Sequence, residues 1–469
     1  MLKFAVISLI LMMSVFSANG QISAQIRERI AAETPPKPVK KTKTEKQAAK
    51  QLAKKAKRDK NNLSATVPDS AASAFTKTAK IPDGINLADG LTEDEAVQIA
   101  LWNNAALNAD LSQLGFARAD LKEAGLLQNP ILSLLFPVGP KQLEAVLNLP
   151  IEILYQRPKR VAVATVNLKR VAEGLEQNGL NLVRDVRLGY LELHLAKERV
   201  RLADSAMQTR RQIPIIMEAR FRVGDVSEAE VVTVQSELKV FEEDRLRFER
   251  ETFVAEERLR LLMGLSDERT AFEIAPKPFN PVQLASSDEL IRSARASRPD
   301  LRSAELAIEA AGNLAKWEKS RIFNFIATLD INGKGAKGFE AGPGFVAEIP
   351  IFNRNEGGIT RAEAEIERAG RQYALIREQI ASEVEESRLR LIKTEELITQ
   401  IRFSVIPALE REQFIQEASF KDGDIPFLFV LQNRQRLDLA RLRETEANAE
   451  MQRAQVLLDR SVGRISGEK

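Results

Sequence analysis

The sequence predicts a mainly α chain with a membrane β-barrel contribution, built as a duplicated unit of long coiled-coil helices plus two β-hairpins. Three observations predict it. A six-residue turn is written twice, 199 residues apart, as Phe221-Arg222-Val223-Gly224-Asp225-Val226 and Phe420-Lys421-Asp422-Gly423-Asp424-Ile425. The helical stretches flanking each turn run far beyond the ~11–12-residue mean of globular helices. Four short segments change period from helical to two, which is the signature of strands.

The duplication extends past the turns. Gly264 has its counterpart at Gly463, again offset by 199, and Leu149-Pro150-Ile151 matches Ile349-Pro350-Ile351, offset by 200. Ala100 to Leu107 matches Ala294 to Leu301, offset by 194. The chain therefore divides into a first repeat over 87–275 and a second over 276–465. In each turn the glycine supplies a left-handed backbone that reverses one helix into the next. The following Asp225 or Asp424 is expected to cap the return helix.

The front of the chain is different. Residues 1–20 read as a secretory signal, with Lys3, an apolar run from Phe4 to Phe16 and Ala18-Asn19-Gly20 as cleavage site. Residues 21–86 form a Lys-rich arm, with ten lysines between Lys37 and Lys60, and this composition predicts disorder. No segment of the mature chain offers the ~18 apolar residues of a spanning helix. The chain has no cysteine, which excludes disulfides, thiol chemistry and a lipid-modified cysteine anchor. A net charge of +3 gives no case for nucleic acid.

The first helix opens at Thr92 with Glu95 three residues later, a capping box, and is expected to run to about Gln128. Its counterpart spans about 287–322 with a break near Arg298-Pro299. The next helices are expected over 157–220 and 359–419; the first, at ~1.5 Å per residue, is ~95 Å long. Val183, Val186, Tyr190 and Leu193 give the 3, 4, 3 spacing of a coiled-coil seam, and Pro214 and Pro407 are expected to bend the helices near their tips. Return helices over 227–263 and 426–462 are about as long as the inbound ones. One long helix thus matches one return plus one inbound helix laid end to end, as in the wall of a cylinder.

The strands are expected over 130–136, 142–151, 325–332 and 345–351, as two hairpins. Leu143, Ala145, Leu147 and Leu149 alternate with Glu144, Val146 and Asn148, one apolar and one polar face. No second layer is available to cover the apolar face. Four strands cannot close a barrel, for which ~8 is the usual minimum, so several chains must each contribute four. The loop Pro137 to Lys141 is short, and Gly333 to Gly344 is expected to be a flexible exposed loop.

These features, in this order, resemble the TolC-type outer-membrane efflux proteins. The resemblance covers about 87–465 and includes the duplication, the hairpins, the Leu/Ile-Pro-Ile ends and the Gly-Asp tips; Leu149-Pro150-Ile151-Glu152 with Lys159-Arg160 is similar to the heavy-metal efflux branch. It implies a homotrimer with a shared 12-stranded barrel in outer-membrane lipid of a Gram-negative bacterium and a periplasmic α-barrel tunnel. It implies a passive exit duct served by an inner-membrane pump of the RND type and a periplasmic adaptor protein. Carried over as adaptor contacts are Val223, Gly224 and Asp225 with Asp422, Gly423 and Asp424. Arg222 and Lys421 are expected to pair with nearby carboxylates at the closed tip. Where the family carries acidic pore residues this chain has Phe429 and Gln432, an apolar constriction helped by Glu228 or Glu230.

No nucleophile motif or zinc spacing suggests an enzyme, and no cofactor is implied. His194 and Glu198 stand at i, i+4 on a helix and read as a plain surface pair. Two alternatives stay open: the exit duct of a type I protein secretion system, and a secreted trimeric coiled-coil structural or adhesion protein without a pore.

Overall fold

Very long helices and one antiparallel sheet account for most of the described residues. The computed structural model describes residues 79–463 apart from 80, 83, 88, 137–142, 152, 268–270, 276–283 and 334–337. The signal, most of the Lys-rich arm and the Pro137–Lys141 loop lie outside the described residues. The first repeat comprises α1 (Glu93–Asn103), α2 (Ala105–Ala124), β1 (Ile131–Leu135), β2 (Leu143–Pro150), α3 (Ile153–Arg210), α4 (Gln212–Arg222) and α5 (Glu228–Leu262). The same order recurs as α6 (Ser287–Ser297), α7 (Pro299–Ser320), β3 (Phe325–Gly333), β4 (Phe339–Ala347), α8 (Glu356–Gln400), α9 (Ile406–Lys421) and α10 (Phe427–Val462).

The capping box at Thr92 forms as expected, with the hydroxyl accepting from Glu95 N and the Glu95 carboxylate accepting from Thr92 N. The inbound helix, expected to be continuous, is broken at Asn104, where ψ is 120°. Asn104 ends α1 and caps α2, its Oδ1 accepting from Leu107 N at 2.9 Å. Arg298 makes the matching break before Pro299, at ψ 123°. Both breaks seat on the end of a return helix. Asn104 Nδ2 donates to Leu262 O at 3.0 Å, and Arg298 Nη1 donates to Ser461 O at 3.2 Å. Return and inbound helices therefore do stack end to end. At that joint Gly264 approaches so closely that a Cβ would lie 2.5 Å from Asn103 O.

The long helices bend where proline removes a donor. In the first repeat α3 ends at Arg210 and α4 restarts before Pro214. In the second, a π turn over Ile401–Val405 precedes Pro407 and lets Ile406 N donate to Ile401 O.

Packing sets a linear order. In the tip half α5 packs on α3, α3 on α10 and α10 on α8; in the sheet half α2 packs on α3, α3 on α7 and α7 on α8. The α2/α5 column forms one edge and α8/α9 the other. Val183, Val186, Tyr190 and Leu193 are all buried in the largest core cluster, as the seam spacing predicts. Tyr190 Oη reaches Leu91 O at 3.0 Å and Ala275 O at 2.7 Å, tying the entry to α1 and the inter-repeat linker to α3. Burial, then Glu93 and Glu95, push its phenol well above the ordinary range.

The strands form one antiparallel sheet, ordered β1-β2-β3-β4. Two expectations are corrected. The last strand spans Phe339–Ala347 rather than 345–351, and residues 339–344 are strand rather than flexible loop. The Ile349-Pro350-Ile351 match consequently lies beyond its strand, whereas Leu149-Pro150 closes β2. Pairing explains the glycines: a Cβ on Gly344 would collide with Thr328 Oγ1 opposite. Pro343 lies on β4, an edge strand within the protomer. The register places Leu147, Leu329 and Pro343 in one row and Leu149, Ala327 and Phe345 in another. One face is thus apolar throughout, while the other carries Glu144, Asp330, Asn332 and Glu340.

Candidate functional site at the helical tips

Each tip is built by the same backbone chemistry. Gly224 has φ +77° and Gly423 φ +85°. Asp225 N donates to Arg220 O at 3.0 Å and Gly224 N to Phe221 O at 2.9 Å; Asp424 N donates to Ser419 O at 2.9 Å and Gly423 N to Phe420 O at 3.2 Å. This is the paired bond pattern of a left-handed C-cap, in which glycine satisfies carbonyls that the helix end leaves bare. Around both glycines there is open space. Val223 and Asp225 of the first tip, and Asp422, Gly423 and Asp424 of the second, are exposed.

Neither aspartate caps its return helix, contrary to expectation. Ser227 caps α5, its hydroxyl accepting from Glu230 N, and the Glu230 carboxylate accepts in return from Ser227 N at 2.8 Å. Serine sits closer to the helix start, so it takes the cap. The second tip uses Pro426, without a side-chain cap. Glu230 is therefore engaged locally, while Glu228 stays exposed.

The charge that ties the tips is Arg220, which sequence reasoning passed over. Arg220 Nε lies 3.6 Å from Asp225 Oδ2, and its guanidinium sits 4.5 Å from the ring centre of Phe420 in the second tip. Arg222 and Lys421 take no such place among the described residues: they follow Arg220 and Phe420 on exposed faces. Helical spacing puts Arg220 on the face of Ile213 and Met217, but it does not say which hairpin that face meets. Beneath it, Ile213 and Met217 of α4, Val231 and Val234 of α5 and Leu431 of α10 form an apolar cluster across both repeats. Phe429 and Gln432 are exposed on the first turns of α10.

Higher up, Arg210 Nη2 meets Asp438 at 2.7 Å and stacks 4.3 Å over Phe241, and Arg199 bridges Glu251 and Glu446. These pairs bind α3 to α10 across the repeat boundary. Among the described residues no group of three His, Cys, Asp or Glu is placed to hold a metal ion. No described helix is long and apolar enough to cross a membrane.

The chain is thus a helical wall with paired tips at one end and a one-sidedly apolar sheet at the other. The profile of the outer membrane efflux protein family matches residues 96–265. The cobalt-zinc-cadmium resistance protein CzcC of Cupriavidus metallidurans is 24% identical over 405 residues, spanning 84% of this chain and 95% of its own. The crystal structure of CusC superposes with a TM-score of 0.69 at 17% identity, covering 83% of this chain and 97% of that one. VceC of Vibrio cholerae gives 0.68 at 16% identity, covering 79% and 96%. Residues 96–265 thus resemble the outer membrane efflux protein family, and the solved channels share this chain's fold.

Proposed function

We propose that three copies of this chain form the exit duct of a tripartite efflux system in the outer membrane of a Gram-negative bacterium. One observation carries the reading. The protomer is a strip with two unpartnered edges, and helices and sheet share them: β1 continues the α2/α5 edge and β4 the α8/α9 edge. Exposed apolar residues stand on both at heptad intervals, Leu246 and Phe253, Val254 and Leu261 on α5, and Leu375, Leu389 and Phe403 on the other. Unlike edges that complement each other build a ring by head-to-tail contact, and three four-stranded sheets make twelve strands.

In this duct the tips Val223-Gly224-Asp225 and Asp422-Gly423-Asp424 meet the periplasmic adaptor. Phe429 and Gln432 narrow the pore with Glu228, while Arg222 and Lys421 are free to reach the next copy. An inner-membrane pump of the RND type supplies the energy. The relationship to a protein named for cobalt, zinc and cadmium resistance supports divalent transition-metal ions as cargo. The test is fractionation of the expressed chain on unboiled gels after cross-linking. A trimer in the outer-membrane fraction is expected; a soluble periplasmic species would overturn the reading. Loss of growth in zinc, cobalt or cadmium on gene deletion checks the cargo.

A further inference from the structure

The apolar face does not end where the sheet ends. In the connector after β4, Glu348 N still donates to Asn324 O at 3.1 Å, so the chain stays extended for another residue. In sequence the apolar alternation Phe345, Ala347 continues through Ile349 and Ile351, with the chain turning where Ile351 N donates to Ile349 O at 2.9 Å. Ile349 is 75% exposed and Phe352 is 99% exposed, the barest large apolar side chain described. Leu126 and Leu127 in the α2–β1 connector and Leu154 in the first turn of α3 are exposed at the same level.

Hydrogen bonds join these connectors into one belt. Arg157 Nε donates to Gly125 O at 2.8 Å and Arg160 Nη2 to Leu126 O at 2.8 Å. Gln156 Nε2 donates to Asn324 Oδ1 at 3.3 Å, and Asn324 Nδ2 to Glu348 Oε2 at 2.8 Å. All four junctions between helix and strand take part, across the full width of the protomer. A neighbouring copy docked at an edge meets the α2–β1 or the β4–α8 end of this belt, whereas Leu154 lies between them. Arg157, Arg321 and Arg354 are exposed along it; Arg321 also pairs with Glu318. Apolar groups flanked by guanidinium groups fit the boundary between acyl chains and phosphates of an anionic leaflet.

We propose that this belt is a phospholipid-binding collar seated in the periplasmic leaflet. Leu126, Leu127, Leu154, Ile349, Ile351 and Phe352 enter the outermost acyl layer, and Arg157, Arg321 and Arg354 contact the phosphates. The partner is phospholipid rather than lipopolysaccharide because the collar lies at the helical end of the sheet, which is the periplasmic end in the duct reading on which this proposal rests. The collar sets how deeply the strands sit.

The chain has no cysteine, so a single introduced thiol can carry a nitroxide label. The full chain is reconstituted in phosphatidylethanolamine–phosphatidylglycerol vesicles with a label at Phe352→Cys, Ile349→Cys, Leu329→Cys on the apolar sheet face, or Val223→Cys at the tip. Accessibility to oxygen is compared with that to a water-soluble nickel chelate. The collar predicts oxygen-to-nickel ratios at Phe352 and Ile349 severalfold above Val223 and below Leu329. Nickel access at both collar positions as free as at Val223, with Leu329 still in lipid, overturns the collar and leaves the barrel standing. Labels there that neither reagent reaches mark a protein contact and also overturn it. A nickel-accessible Leu329 overturns the barrel reading itself, and the collar with it.

Discussion

Four glycines hold left-handed backbone at matching places in the two repeats, yet replacing each with alanine should have unequal consequences. Gly224 and Gly423 have φ +77° and +85° with nothing within 4 Å of a built Cβ. Their replacement costs only the left-handed conformation, about 1–2 kcal/mol. Gly264 has nearly the same φ, +69°, but its Cβ would lie 2.5 Å from Asn103 O and 2.7 Å from Asn103 C. Those are backbone atoms at the break of α1 and α2, and they cannot swing aside. Relieving the overlap pushes the return helix off the inbound one. Overpacking of this kind adds about 1–3 kcal/mol, and loss of the Asn104–Leu262 hydrogen bond adds about 1 kcal/mol. The expected loss for Gly264→Ala is therefore about 3–6 kcal/mol from these contributions together. Gly463→Ala should fall between, because its nearest contacts, Arg298 Cγ and Ser297 Oγ at 3.0 Å, belong to side chains. The assay is the temperature at which the unboiled oligomer dissociates on a gel, an operational ranking suited to a large assembly that unfolds irreversibly. The expected order of loss is Gly264, then Gly463, then the two tips. Equal losses at all four, or a greater loss at a tip, would refute the joint as a rigid seat.

Proline at either tip glycine should act on function instead. Gly224→Pro and Gly423→Pro demand φ near −65° and delete the N–H donated to Phe221 or Phe420; export should stop while membrane insertion persists, and normal export in both would remove the tips from the mechanism. Glu383 receives Arg298 at 2.6 Å and also Arg460, beside an Arg298 that is only 3% exposed. Glu383→Gln should cost about 3 kcal/mol through the buried positive charge left behind, read as a lower dissociation temperature; an unchanged temperature would mean that Asp300 suffices. Hydrogen bonds from Arg388, then Ser287, bring the Glu385 carboxyl down to about 2 from its ordinary 4.5. A depressed acid stabilises above its unfolded value and loses that stabilisation as pH falls toward the folded one. Acid sensitivity between about pH 4.5 and 2 should therefore flatten in Glu385→Gln, which pH-dependent dissociation measures.

Most of the helical body was legible because its signals are local. The return helix expected over 227–263 is observed over Glu228–Leu262, bounded by a serine cap and a glycine stop. The break at Arg298 was legible through Pro299, but the equivalent break at Asn104 was not. An asparagine inside a helical pattern announces a cap only once its partner at Leu262 O, 158 residues away, is known. The strand β4 was misplaced for a related reason. Its glycines and proline speak for a loop by propensity, and only pairing against Thr328 and Leu329 makes a strand of them. At the tips the glycines were readable and the charges were not. Which of Arg220 and Arg222 reaches across depends on how two hairpins from distant parts of the chain lean together.

That leaning shows what duplication has preserved. Where the backbone turns left-handed, the repeats keep the residue type: glycine at 264 and 463, glycine at 224 and 423. Where side chains span a gap, they keep the bond and change the group. Asn104 donates to Leu262 O and Arg298 to Ser461 O, at equivalent carbonyls 199 residues apart. Arg187 pairs with Asp94 at 3.2 Å on one repeat, while Glu385 accepts from Ser287 at 2.6 Å near the same level of the other. The hairpins diverge most. The pairs Arg434–Glu417, Arg436–Glu412 and Arg441–Glu410 lace α9 to α10, whereas among the described residues Gln235–Glu218 joins α4 to α5. Exposed pairs contribute little singly, about 0–1 kcal/mol, but a ladder of them resists shear between the two helices. The second hairpin is then the stiffer one and the first the more compliant. Any rearrangement of the tips should therefore show first as mobility in α4 and the start of α5, a difference that amide exchange across the two tips would resolve.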